Sequence, residues 1–313
     1  MLNFLIAGTL QSTAPPLIHP PNLVQAIILG FVQGVTEFLP ISSTAHLKVV
    51  PVVLGWGDPG VTFTAVVQLG SIAAVLWYFW SDLRQITQGS WRAISTQDWQ
   101  AHDLRLAIGI GIGTLPIVIG GLLIKVFLPN YESSVLRSLL AIAITSIMMA
   151  ILLGMAERWG RRQRDMLGVQ RQDLIAMGFA QALALIPGVS RSGSTFTAGL
   201  FLGLDRPTTA RLSFLLGIPS ITLAGLAELI SILGAHPSSG EFLPLIVGTL
   251  SSGVFSYLAI AWLLQFLQKR GFWIFVWYRI GFGFAILLAL FFGQVESGLQ
   301  SLGGLEVMIA AVT

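Results

Sequence analysis

The sequence predicts an all-α integral membrane protein built as an inverted-topology repeat, each half one re-entrant helical hairpin plus three transmembrane helices. Three observations predict it. Six apolar runs are each long enough to cross a bilayer, two further apolar regions are broken in the middle, and the loop charges fit one topology. Only 10% of the 313 residues are charged, against about 25% in soluble domains, while 54% are hydrophobic.

The element list starts at the N-terminus. The opening MLNFLIAGTLQST has no charged leader and too short an apolar core for a secretory signal. It is expected to be a surface segment over residues 1–21, set off by Pro15, Pro16, Pro20 and Pro21. Leu23–Phe38 and Thr44–Leu54 then flank Pro40-Ile41-Ser42-Ser43, and each half is too short to span. Proline followed by serine stops one helix and starts another. Non-helical backbone is tolerated at membrane depth only where protein or water covers it. The pair therefore reads as a hairpin with its tip near the midplane. Three spans follow, about Val61–Trp80, Leu104–Phe127 and Val135–Met155, completing a first repeat over 22–155. A basic loop, 156–171, precedes the second broken region. There Leu174–Ile186 and Ser194–Leu204 flank Pro187-Gly188-Val189-Ser190-Arg191-Ser192-Gly193. Thr209–Leu233, Phe242–Leu267 and Phe272–Phe292 complete a second repeat over 172–292, before a tail, 293–313.

Charge fixes the orientation. The loop with Arg158, Arg161, Arg162, Arg164 and Arg171 is expected inside, because cytoplasmic loops collect arginine and lysine. Counting outward, Ser81–Asp103 (Arg84, Arg92), Asp205–Arg211 and Lys269–Arg270 also fall inside. The other connections carry few cations: Pro129–Ser134 has only acidic Glu132, and Gly234–Glu241 has none. This agreement holds only if both broken regions return to the side they left. Three further crossings per half then invert the second half against the first, the plan of many secondary transporters. Both termini fall outside. A weak echo, Gln25-Ala26 against Gln181-Ala182, accompanies the two proline-serine breaks.

The breaks also carry the chemistry. They set a carboxylate, an imidazole, an arginine and five serines in otherwise apolar sequence, where each ionisable group costs about 2.5–3.5 kcal/mol on insertion scales. Gln33 and Glu37 lie four apart, on one face of the first half-helix. Glu37 reads either as a lone glutamate bonded to neighbouring backbone or, with Gln33 as a neutral oxygen, as a divalent-cation ligand. Ser42, Ser43 and Thr44 open the next half-helix, where such residues cap, and one of the two serines is expected to do that. His46 is a structural hydrogen-bonder if isolated, and a base or nucleophile beside Glu37 and two hydroxyls. In the second tip, glycines, a helix start and the hydroxyls of Ser190, Ser192 and Thr195 suit an anion, and Arg191 offers a fork matched to phosphate. A tight turn pairing Arg191 with Glu37 is the plainer alternative. It is not a Walker A loop, which needs a closing Gly-Lys-Ser/Thr. With no cysteine, disulfides and thiolate chemistry are excluded, and no nucleic-acid footprint is visible. His19, His102 and His236 sit in predicted loops. On facing hairpins the two tips supply what phosphoryl transfer needs, positioning and charge neutralisation.

At these residues the chain resembles the undecaprenyl-diphosphate phosphatase family, also called bacitracin-resistance proteins. The family's first motif matches Gln33 and Glu37 and runs on through Phe38-Leu39-Pro40, Ser42-Ser43-Thr44 and His46. Its second matches Pro187 to Thr195, and similarity extends through Val67-Gln68-Leu69-Gly70-Ser71, Ser213-Phe214-Leu215-Leu216 and Tyr278-Arg279. The resemblance implies hydrolysis of undecaprenyl diphosphate, a polyprenyl lipid, to its monophosphate and inorganic phosphate in the bacterial plasma (inner) membrane. This recycles the carrier for peptidoglycan synthesis and confers bacitracin resistance. It implies a divalent cation, Mg2+ or Ca2+, held by Glu37 and Gln33. It makes Glu37, Ser43, His46 and Arg191 catalytic and gives the phosphates to Ser190, Arg191, Ser192, Gly193 and Thr195. Gln33 departs from members with two glutamates, and Ser194 stands where alanine is common. Ser43, His46 or water can serve as nucleophile, with the site opening to the periplasm or exterior. The rival from another class is a lipid flippase or transporter, which would release no phosphate. A phosphatidic-acid-type phosphatase would need a second histidine beside a downstream acid.

Overall fold

The computed structural model describes residues 21–57, 59–128, 131, 134–233 and 242–292. Residues 1–20 of the surface segment expected over 1–21, the 234–241 connection and the tail 293–313 lie outside them. Within the described residues the chain is helical, with no strand beyond an isolated bridge between Arg164 and Leu204. In chain order the α-helices are α1 (Leu23–Phe38), α2 (Ser43–Val53), α3 (Gly60–Tyr78), α4 (Trp80–Ser95) and α5 (His102–Phe127). Then come α6 (Leu139–Trp159), α7 (Arg171–Ala182), α8 (Arg191–Phe201), α9 (Arg206–Leu233), α10 (Phe242–Lys269) and α11 (Trp273–Phe291).

Five of these helices are long and apolar enough to cross a membrane, and a sixth span results if the bent pair α3–α4 counts as one. The exterior is what a lipid solvent selects. Leu115, Ile119, Leu122, Val126 and Phe127 on α5 are exposed, while Gln33, Ser71, Ser252, Ser256 and Arg279 are buried. A soluble protein reverses that distribution, and hydrocarbon-facing backbone must be helical to satisfy its own hydrogen bonds. This is a multi-pass membrane protein.

The helix boundaries follow from local chemistry. Asn22 caps α1, accepting from Gln25 N at 3.0 Å, while the Gln25 side chain accepts from Asn22 N at 2.9 Å. Leu39-Pro40 then ends the helix, because the residue before proline is pushed out of helical backbone. Ile186-Pro187 closes the corresponding stretch, in which α7 tightens into a 3-10 turn at Leu183–Leu185. One expectation is corrected. Ser81–Asp103 is not a simple loop, because most of it forms α4, bent 61° from α3. Its polar residues recur on one helical face and apolar ones on the other, and this amphipathic pattern stays below any spanning hydropathy.

The half-helices are wrapped by the long ones. Helix α1 packs chiefly on α10, α7 on α5, and α11 on α6. At the crossings the backbones touch. A Cβ on Gly30 would lie 2.3 Å from Gly248 O, and one on Gly178 would lie 2.1 Å from Gly113 O. Gly30→Ala must therefore push α1 off α10, and is expected to cost about 1–3 kcal/mol, the range for overpacking. A lowered thermal midpoint in detergent checks it, and an unchanged midpoint would mean the helices slide at no cost.

The central core joins the two breaks. Phe214 of α9 stands edge-on to Phe38 (5.5 Å between centroids) and to Phe196 (5.9 Å), so one ring packs the end of α1 against α8. Charge gathers at one end of the bundle. Glu157 pairs with Arg162 (3.0 Å) and Arg206, Arg164 with Asp173 (3.0 Å), and Arg211 with Asp82 (2.9 Å). The basic loop is thus tied to the starts of α7 and α9, and α9 in turn to the start of α4.

Candidate active site

The first tip is built around Glu37. Its Oε2 accepts from Ser43 Oγ at 2.7 Å and from Gln33 Nε2 at 3.2 Å. Gln33, one turn back and buried, also reaches Ser71 Oγ at 3.4 Å, which continues to Ser252 (3.0 Å) and Ser256 (2.8 Å). Ser42 sits at φ 74° and ψ 100°, a backbone conformation strained for any residue with a side chain. Neither serine caps α2 as expected. At positive φ the Ser42 side chain turns to Thr44 Oγ1 (3.1 Å), and Ser43 turns to Glu37, so the positive end of α2 has no side-chain cap. His46 is held away from this group. Its Nδ1 meets Ser42 O at 2.8 Å, its Nε2 meets the Tyr278 hydroxyl at 2.6 Å, and its ring stacks on Phe282.

The second tip repeats the strained turn, with Ser190 at φ 70° and ψ 119°. Here the hydroxyls are already engaged. Ser190 Oγ accepts from Gly193 N (3.2 Å), Ser192 Oγ donates to Leu39 O (2.9 Å) across to the first tip, and Thr195 Oγ1 donates to Arg191 O (2.9 Å) and meets Ser213 Oγ. Ser194 also bonds Arg191 O, at 2.9 Å. These side chains fix the turn and leave Arg191 as its reaching arm.

The two tips meet. Arg191 Nη2 lies 3.5 Å from Glu37 Oε1, with the side chains only 9% and 10% exposed. That is an ion pair too long for a hydrogen bond, and Arg191 Nε and Nη2 are buried with no hydrogen-bond partner. Two unbonded donors on a buried guanidinium are costly, and one carboxylate at this distance does not satisfy them. The room for this fork comes from Gly217, where a Cβ would lie 1.8 Å from Arg191 Nη1.

Residues 26–285 match the family model of the bacitracin resistance protein BacA. The chain belongs to the BacA family. It is similar to a protein of Nostoc sp. called undecaprenyl-diphosphatase, at 62% identity over 280 residues covering 90% of this chain and 88% of that one. Proteins of the same name from Synechocystis sp. (61% over 272 residues, 87% and 83%) and Trichodesmium erythraeum (55% over 290 residues, 92% and 93%) are similar along nearly their full length.

As a BacA-family site, the pocket can be tested against a divalent cation. Among the described residues no three His, Asp, Glu or Cys side chains cluster as a metal cage. Glu37 is a lone carboxylate, and Gln33 turns its nitrogen toward it, which directs the amide oxygen away. This donor set fits an Mg2+-like ion, which keeps waters and leans on substrate phosphates, better than an all-protein Ca2+ site. Two functional residues escaped the sequence reading. Gly217 gave no signal, since nothing marks a glycine as the neighbour of an arginine 26 positions away. Arg279 did give one, an ionisable residue in the middle of an apolar run, but it was noted only as part of the resemblance.

Proposed function

We propose that this chain hydrolyses undecaprenyl diphosphate to undecaprenyl phosphate and inorganic phosphate where its two tips meet. The observation that carries the reading is Glu37, shared between a hydroxyl nucleophile at 2.7 Å and a phosphate-matching arginine at 3.5 Å. The names of the cyanobacterial relatives supply the substrate. The prenyl tail stays in lipid while the head reaches the tips. Arg191 holds non-bridging oxygens with its unbonded Nε and Nη2. Ser43 Oγ attacks the terminal phosphorus and passes its proton along the existing bond to Glu37, the anhydride P–O bond breaks, and Glu37 gives that proton to the departing undecaprenyl phosphate. Water, deprotonated by the regenerated Glu37 carboxylate, then attacks the phosphoserine, the Ser–O–P bond breaks, and the proton returns from Glu37 to Ser43 Oγ as inorganic phosphate leaves. His46 anchors the Ser42 carbonyl and so the turn that aims Ser43. A divalent cation, Mg2+ or Ca2+, would be held by Glu37 and, with its amide turned over to present the oxygen, by Gln33, and would neutralise charge on the diphosphate.

The architecture belongs to the same proposal, as an inverted repeat over 22–155 and 172–292. Helices α2 and α8 each have 11 residues and are offset by 148 positions, from 43 to 191 and from 53 to 201. The same offset relates strained Ser42 to Ser190, Gly30 to Gly178 at the two tight crossings, and the Asn22–Gln25 cap to Asp173 accepting from Gln170 N at 2.7 Å. The packing of α1 on α10 is answered by α7 on α5. This register pairs Gln33, rather than Gln25, with Gln181. The ion pairs that tie the basic loop to α7 and α9, and α9 to α4, support those segments sharing the cytoplasmic side. The site then opens outward, with both termini outside, in the bacterial plasma membrane.

A flippase on the same plan has no use for a serine hydrogen-bonded to a carboxylate. The test is phosphate release from a polyprenyl diphosphate by the purified protein, with the phosphoenzyme trapped in denaturing detergent at neutral pH, where phosphoserine and phosphohistidine both survive, and mapped by peptide. Release with label on Ser43 is expected. Lipid transport without phosphate release overturns the enzyme, and label on His46 overturns the nucleophile.

A further inference from the structure

Arg279 lies in the middle of α11 with 0% exposure, and its partners are all main-chain carbonyls. Nη1 donates to Pro40 O at 2.9 Å and to Val189 O at 3.1 Å, Nη2 to Gly188 O at 2.7 Å, and Nε to Ser146 O at 3.2 Å. Pro40 belongs to the turn that ends in Ser42, and Gly188 and Val189 to the turn that ends in Ser190. One nitrogen therefore holds a carbonyl from each tip, and the same guanidinium is fastened to α6. These carbonyls have left the helices and stand at membrane depth, where an unbonded one costs several kcal/mol.

We propose that Arg279 is a positioning residue that sets the spacing between Ser43 and Arg191. The inference rests on the roles given to those two residues above. None of its hydrogen bonds goes to Glu37, Ser43 or Arg191, so it acts through the backbone of both turns. A guanidinium is planar and rigid, with donors at fixed separation, so bridging two carbonyls fixes the distance between them. The first residue after each strained serine is Ser43 in one tip and Arg191 in the other. Locking the two turns to one plane therefore locks the nucleophile to the phosphate clamp. Gly193 leaves the space the group occupies, since a Cβ there would lie 2.7 Å from Arg279 Nη1. Lysine, with one mobile ammonium, cannot hold three carbonyls across two turns in a fixed plane.

The experiment compares Arg279→Lys, Arg279→Ala and Ser43→Ala in detergent, with steady-state phosphate release and thermal unfolding on each. The two Arg279 variants are expected to fold and to lose kcat by about 100-fold, the cost of roughly 1 Å of misplacement. KM should stay within about twofold, because the arginine that binds the phosphates remains. Millimolar guanidinium should raise kcat of Arg279→Ala at least about tenfold by refilling the guanidinium position, and leave Ser43→Ala unchanged. A folded Arg279→Lys with wild-type kcat overturns the proposal, as does a loss confined to KM, which would make Arg279 a substrate contact. Failure of both variants to fold overturns it in favour of a purely architectural role. Activity surviving in Ser43→Ala strikes the underlying reading instead, and is distinguishable because it leaves the guanidinium rescue intact.

Discussion

Glu37→Gln is expected to lower phosphate release by about 10³-fold, within the range for losing a general base. The substitution keeps the shape of the side chain and removes its charge and half its acceptor capacity. In the native site Oε2 takes a bond from Ser43 at 2.7 Å and another from Gln33 at 3.2 Å. An amide can still accept from one of them but cannot take up the proton that Ser43 must shed. A single-turnover assay isolates that step from product release. The same change leaves Arg191 buried without its counter-charge. Breaking a well-made buried pair costs about 3–5 kcal/mol, but this pair is 3.5 Å long and lacks a hydrogen bond, so the thermal midpoint should fall by less than that implies. Glu37→Asp supplies the control. It keeps the charge beside Arg191, shortens the reach to Ser43, and should recover stability while recovering little rate. Retention of more than a tenth of wild-type activity in Glu37→Gln would take the proton-accepting role away from Glu37.

The sequence was legible where one property decides a structure. Leu23–Phe38 was read to the residue, because prolines lie just outside both ends of an apolar run. The span read as Phe242–Leu267 is α10, Phe242–Lys269, since helices in lipid persist until polar residues meet water. Pairing of Glu37 with Arg191 was legible as the plainer alternative for the second tip, from two opposite charges at two polar breaks. Helix α4 was not, because its alternation of Trp80, Asp82, Arg84 and Trp91 lowers mean hydropathy to that of a loop, although its period is helical. His46 was left open in the sequence, as a structural hydrogen-bonder or as a base or nucleophile beside Glu37, because its partners are Ser42 O and Tyr278, the latter 232 positions away. Arg279 bonds only carbonyls, and every residue has a carbonyl, so no pattern of side chains could announce its targets. The hydroxyls of the second tip were expected to meet phosphate, and a sequence does not show what else they bond: Ser190 Oγ accepts from Gly193 N, Ser192 donates across to Leu39 O, and Thr195 donates to Arg191 O.

Arg191→Lys should be almost as damaging as loss of the side chain, lowering kcat/KM by about 10³-fold, the lower end of what an arginine contributes at a transferring phosphoryl group. Charge is conserved, so the argument is about shape. The guanidinium offers Nε and Nη2 side by side, both buried and both without hydrogen bonds, which matches two oxygens of one phosphate. An ammonium presents a point charge on a flexible stem and would collapse onto Glu37, already within ion-pair distance of the native arginine. The Lys variant should accordingly fold as well as wild type and bind the diphosphate weakly. Gly217→Ala tests the same claim without touching any charge. Its new methyl would stand 1.8 Å from Arg191 Nη1, so the fork must rotate away from α9. A displacement of about 1 Å is worth roughly 10²-fold in rate, and α9 itself should remain, since alanine favours helix over glycine. The pair of variants separates charge from geometry. If Arg191→Lys is inactive and Gly217→Ala is slow yet folded, the direction of the arginine fork governs the reaction. If Gly217→Ala is as fast as wild type, the arginine works as a diffuse positive charge, and the match between its donors and the phosphate oxygens loses its meaning.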